Sequence, residues 1–205
     1  MKKVMVSVLA AACLAACLSG CSMFKKSTIT VDKFDEFLDE VDAKDKDIED
    51  MEEWLEEEGL SKKGVCAFGD DDDFEFLGEA FENGGFAPAG DKLEEFSLYC
   101  RGGEEYGTFL VLLTFKNEDA AIDYLNDTVD LWDDDLCDSA DDWAIADEEE
   151  TEIMAWFDCD GTDIYVSEFQ NKENVLLMIN TDDEDTLDDV VDFFELTDIT
   201  KVLDD

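Results

Sequence analysis

Apolar positions along this chain change their spacing several times, and each spacing predicts a different element. An unbroken run over residues 4–18 follows Lys2 and Lys3 and ends in Ser19-Gly20-Cys21. From Val31 the spacing becomes helical: Val31, Phe34, Phe37, Leu38 and Val41 recur every three or four residues, followed by Ile48, Met51, Trp54 and Leu55. The charged stretch 43–47 between these sets is read as a hinge or as the middle of one long helix, with Gly59 and Gly64 bracketing its end. Residues 65–68 and 74–77 look like short strands around Asp70-Asp71-Asp72-Asp73, and residues 83–90, rich in glycine, form a loop. Residues 96–100 begin a strand, Gly102-Gly103 turns the chain, and residues 106–115 run back as a hairpin partner. In the returning strand Phe109, Val111, Leu113 and Phe115 share one face while Leu110 and Leu112 lie on the other. Apolar residues on both faces predict a strand in the middle of a sheet.

The second half repeats strand and helix signals. Asn117 can cap a helix with Glu118 and Asp119 in its first turn, and Ala121, Tyr124, Leu125, Thr128 and Trp132 keep to one stripe. After an acidic linker, residues 153–159 and 162–169 flank Asp160-Gly161, a two-residue hairpin signal because that turn needs positive φ. Residues 171–174 turn the chain into a strand over 175–180, and Thr181-Asp182-Asp183-Glu184 reads as a capping box. Leu187, Val190, Val191 and Phe194 form the inner stripe of a last helix. The units 106–132 and 175–196 share the order strand, cap, acidic turn, amphipathic helix, which common strand-to-helix physics explains without a duplication. The expectation is an α+β fold: an antiparallel sheet of about five strands with helices packed on one face, preceded by an N-terminal helical segment. Residues 31–205 form one domain, helical over 31–59 and sheet plus helices over 64–205.

The first apolar run is too short to span a bilayer, which needs about 20 residues. Its order of positive start, apolar middle and small-residue end is that of a secretory signal. Leu18-Ser19-Gly20-Cys21 resembles the lipobox of bacterial lipoproteins. That resemblance implies a signal peptide over 1–20, cleavage before Cys21 and acyl chains on its thiol, with residues 21–30 as the lipidated cysteine and tether. Two or three chains anchor a protein durably where one does not. The expected location is the outer face of the cell membrane, or of the outer membrane in a host that has one. The strand and helix order over roughly residues 28–200 is similar to small lipoproteins of anaerobic Gram-positive bacteria, a group whose likeness carries no activity across.

Charge narrows the partners. Cleavage removes two of the 14 basic residues and none of the 59 acidic ones, leaving a formal −47. Such a chain repels phosphates, so nucleic acid is not expected as a partner. The plain reading is a solvated, self-repelling surface; a site for Ca²⁺ or a cationic partner is the alternative. Cys66, Cys100, Cys137 and Cys159 remain after Cys13 and Cys17 leave with the signal and Cys21 is acylated. An even number outside the cytosol allows three disulfide pairings, of which 66–100 with 137–159 is favoured, against buried free thiols.

Candidate chemistry is limited by what is missing. The chain has no histidine, hence no Ser-His-Asp or Cys-His set and no histidine-ligated metal. It has no Gly-Lys-Ser/Thr phosphate loop. Asp70, Asp71, Asp72 and Asp73 are the better-placed acidic run for Ca²⁺, although four adjacent carboxylates cannot all face one ion. Asp158 to Asp163 departs from a calcium loop in glycine position, and the hairpin accounts for it. Asp133-Asp134-Asp135 at a helix end could attract a counter-ion. Glu168 shares a strand face with Ile164 and Val166, and a position on the rim reaching to water is expected, with burial and a raised pKa as the alternative. The functional expectation is a non-enzymatic, lipid-anchored domain that binds a partner or assists envelope assembly, with no resident cofactor. A cation-binding module and a carboxylate-pair hydrolase of wall glycans are the alternatives. An apolar patch around Tyr165 and Phe169, on a sheet face without helices, would favour the first.

Overall fold

The computed structural model describes residues 29–51, 64–70, 73, 74, 77, 92–102, 107–132, 142–148, 151–159, 161–181 and 183–203. Helix α1 spans Val31–Glu40 because Thr30, extended at φ −144° and ψ 160°, accepts a hydrogen bond from the Lys33 N–H and Phe34, Phe37 and Leu38 bury one stripe. It stops at once. Asp42 takes φ 52°, and the Ala43 N–H donates five residues back to the Leu38 carbonyl at 3.0 Å. That is a Schellman closure with aspartate where glycine is usual. Residues 43–47 are therefore neither hinge nor helix. Their centre, Lys44–Asp45, is strand β1, parallel to β2 at Val65–Gly69.

β3 covers Leu93–Gly102, β4 Gly107–Phe115, β5 Asp142–Glu148, β6 Glu152–Cys159, β7 Thr162–Asn171 and β8 Asn174–Thr181. They form one eight-stranded sheet in the order β1-β2-β3-β4-β8-β7-β6-β5, antiparallel except for the two-residue β1. Helix α2 spans Glu118–Leu131, α3 Glu184–Phe194 and α4 Ile199–Leu203. The α+β class, the antiparallel sheet and the leading helix agree with the sequence reading. The strand number does not. β5 falls in the stretch expected as an acidic linker, because four central residues framed by aspartates show no period-two alternation. Phe74 and Leu77, expected in a strand, are helical.

Helices lie on both faces rather than one. One core gathers Val111, Leu113, Leu177, Val166 and Ile153 beneath Ala121, Tyr124, Leu125 and Trp132 of α2. The other gathers Leu110, Leu112, Leu176 and Met178 against Phe34 and Phe37 of α1, Leu187, Val190 and Phe194 of α3, and Ile199 of α4. A central strand apolar on both faces needs a cover on each, so β4 already held the correct answer.

Capping follows the sequence with one shift. Asn117 accepts from the Ala120 N–H at 3.0 Å. α3 is capped by Asp183, whose carboxylate accepts from the Thr186 N–H, and not by Thr181. The β6–β7 turn is the expected two-residue hairpin, with Gly161 at φ 83° and its N–H donating to the Asp158 carboxylate at 2.9 Å. A Cβ there meets nothing within 4 Å, so the strain of Gly161→Ala is conformational alone. We expect Gly161→Ala to cost about 1–2 kcal/mol, and Gly161→Asn less, as read by urea denaturation; equal stability of both variants and the parent would contradict it.

Candidate functional site

Alternation along β7 sends Ile164, Val166 and Glu168 toward α2 and Tyr165, Ser167 and Phe169 toward the other core. Glu168 is fully buried at 0% exposure, which corrects the rim placement. Two strands, β6 and β5, lie beyond β7 on that side, so the position is interior once β5 is counted. Its cross-strand neighbours are Ile153 on β6 and Leu177 on β8, with Val111 beyond. From above, the Tyr124 hydroxyl of α2 donates to Glu168 Oε1 at 3.0 Å. Glu168 Oε2 has no hydrogen-bond partner among the described residues.

An apolar surround disfavours the charged form. Burial pushes the Glu168 carboxyl up to about 8, and the Tyr124 bond offsets only part of this. Burial, and then the neighbouring Glu168, push the Tyr124 phenol well above its ordinary value. Both groups hold their protons at neutral pH. Neither meets solvent, so neither reaches a substrate while α2 is docked. The stripe over 121–132 foretold that Tyr124 is buried, and a buried phenol seeks a partner; its partner, 44 residues away, had no local signal.

A second polar group lies at the other end of the sheet. Asn180 Nδ2 donates to Thr108 Oγ1 at 2.7 Å and to the Asp183 carbonyl at 2.9 Å. Thr108 Oγ1 donates to the Asp183 carboxylate at 3.3 Å. All three residues are buried. The network ties β4, β8 and the start of α3 together, which is a scaffolding task.

The chain enters the domain earlier than the tether reading placed it. Ile29 is wholly buried against α1, α3 and the sheet. Its carbonyl accepts from Asn171 Nδ2 at 3.3 Å and Asn174 Nδ2 at 3.4 Å, on the two sides of the β7–β8 turn. Cys21 lies outside the described residues.

Cys66 and Cys100 are both free thiols. The register pairs Cys66 with Tyr99 and Val65 with Cys100, placing the two sulfurs in opposite cores, so the 66–100 bridge does not form. Burial, then Asp45 and Asp35, push the Cys66 thiol up to about 11, and burial pushes Cys100 higher still. Such thiols are inert. Cys137 and the side chain of Cys159 lie outside the described residues.

The acidic runs are described only in part. The Asp73 carboxylate accepts from the Asp70 N–H at 3.2 Å, closing a local turn, while Asp71 and Asp72 lie outside the described residues. So do Asp133, Asp134, Asp135 and Asp160. Among the described residues no three acidic or cysteine side chains converge as a metal site. Phe169 is buried and Tyr165 half-buried beneath the second core, so the exposed patch imagined around them is covered by helices. Phe68, 44% exposed, is the large apolar side chain that does face water among the described residues.

Among the described residues no helix is long and apolar enough to cross a membrane. No family model and no curated protein matches the chain. Among solved structures, the extracellular domain of PknH from Mycobacterium tuberculosis aligns with 57% of this chain and 68% of its own, at 11% identity and a TM-score of 0.37. A superposition so loose carries neither fold nor activity from one protein to the other.

Proposed function

We propose that this chain is a lipid-anchored extracytoplasmic domain without enzymatic activity, held at a membrane surface by acyl chains on Cys21 and acting as a binding or envelope-assembly module. The observation that carries the reading is the fixed position of Ile29, eight residues after the lipobox cysteine Leu18-Ser19-Gly20-Cys21. Eight residues fully extended reach about 28 Å. A chain acylated at Cys21 therefore holds this domain within a few nanometres of the head groups, with the β7–β8 turn end of the sheet nearest the tether. Two asparagines and the second core grip the point where the tether meets the fold.

The internal chemistry supports a non-catalytic reading. Among the described residues the acid furthest from its ordinary pKa is closed off beneath α2, and the buried polar network at the other end holds elements together. In cells of the native host, Cys21→Ser should move the protein out of the membrane fraction. The intact mass of the purified native protein should start at an acylated Cys21. Equal membrane retention of Cys21→Ser, or a free thiol at position 21 of the mature chain, would overturn the proposal.

A further inference from the structure

The bond between Tyr124 and Glu168 joins a helix to a sheet across an otherwise apolar contact. α2 makes no backbone pairing to the sheet and is held by side chains alone: Ala120, Ala121, Tyr124, Leu125, Thr128 and Trp132 from the helix, and Val111, Leu113, Ile153, Val166 and Leu177 from the strands. We propose that Glu168 and Tyr124 form a proton-dependent latch: the protonated Glu168 carboxyl favours α2 closed on the sheet, and loss of that proton raises the population in which the helix lifts locally. The reading is independent of the membrane anchor.

The geometry supplies the reason. A carboxylate needs several donors or water, and here one oxygen has a single phenol and the other has no partner among the described residues. Among the described residues every other group facing it is neutral: Thr128 one turn on from Tyr124 on α2, Ile153 on β6, Leu177 on β8, and Val166 two residues back on β7. Asp123, Asp127 and Asp130 of α2 point outward to solvent. No cation among the described residues faces the site to steady the charge, so the anion is relieved only by reaching water. Lifting α2 gives it that. The helix carries an added bias, since no basic residue stands in its last turn to meet the dipole.

The sign follows from linkage. With the helix closed the carboxyl titrates near 8, and with it open near its ordinary 4.5. Opening thus releases a proton between those values, and the open population rises about tenfold per pH unit, about three and a half orders of magnitude in total before levelling off above pH 8. Burial of the apolar stripe still favours closure, so the open form stays a minor state whose population is tuned.

The test is amide hydrogen exchange on the full chain from pH 5 to 9, corrected for the intrinsic base catalysis of exchange. We expect inner α2 amides such as Leu125 and Thr128 to lose protection with pH at up to tenfold per unit and to stay less protected than β4 and β8 amides throughout, because they exchange by local lifting rather than by global unfolding. In Glu168→Gln the α2 profile should be flat. Tyr124→Phe removes a bond that steadies the anion, so its fall should extend to higher pH. A flat wild-type profile, a slope that survives in Glu168→Gln, or protection in α2 equal to that of the central strands would each overturn the latch. If Glu168→Gln does not fold, the wild-type contrast between α2 and the central strands decides alone.

Discussion

Glu168→Gln should gain about 3 kcal/mol of unfolding free energy relative to wild type between pH 5 and pH 8, from the proton linkage of one buried acid. The group's folded pKa lies near 8 and its unfolded value near 4.5, both set by whether burial desolvates it. An acid raised in the folded state favours folding fully below the unfolded value and loses that advantage as pH rises to the folded one. Wild-type stability should therefore decline from about pH 5 to pH 8 through this group, and Gln, which does not titrate, should not share the decline. The variant has its own cost. Its amide N–H₂ replaces the oxygen that has no partner, and an unsatisfied buried donor costs about 1–3 kcal/mol. At pH 5 the variant should thus be equal to or weaker than wild type, and at pH 8 clearly stronger. Urea denaturation at several pH values measures both proteins. The crossing of the two profiles is the signature, because the many surface carboxylates contribute alike to each. Parallel profiles would refute the buried, protonated carboxyl.

The same residue shows where sequence reading stops. The face of the strand that holds Glu168 was legible, because alternation along 162–169 is clear. Its depth was not, because depth depended on β5, and β5 lies among acids with no period to reveal it. Missing one edge strand moved a buried acid to the rim. The helical stripes of α1, α2 and α3 were legible in full, since each is an amphipathic face packed on a sheet and spacing records that directly. Their assignment to two faces followed from β4, whose apolar residues point both ways; the single-face expectation set that signal aside. The end of α1 was hidden for a different reason. Asp42 in the left-handed region does what glycine usually does, and aspartate carries no such mark in a sequence of 59 acids. The cysteines failed for want of register: a one-residue offset between β2 and β3 sends Cys66 and Cys100 to opposite faces.

Phe37→Ala should produce the second large effect, a loss of about 4 kcal/mol from deleting a fully buried aromatic ring. Phe37 is 1% exposed and is the centre of the aromatic contacts in the second core. Its ring lies 5.5 Å from Tyr99 of β3, edge on, 5.4 Å from Phe193 and 5.5 Å from Phe194 of α3, and 6.4 Å from Phe34 one turn back. These contacts join α1 to both the sheet and α3, so no single neighbour can move in to fill the space. For a domain of this size a loss of that magnitude lowers Tm by about 8–16 °C. Phe193→Ala, whose ring is only half-buried beneath Lys33 at 4.0 Å, should cost distinctly less. The consequence reaches beyond stability. α1 directly follows Ile29, so its grip on the core decides whether the tether ends at residue 29 or continues through ten more residues that could extend it by about 33 Å. Phe37→Ala should therefore raise exchange in α1 before the central strands, and on an anchored chain it should let the domain stand further from the membrane. A drop of less than about 1 kcal/mol would mean that Phe37 is not the residue that fastens α1 to the fold.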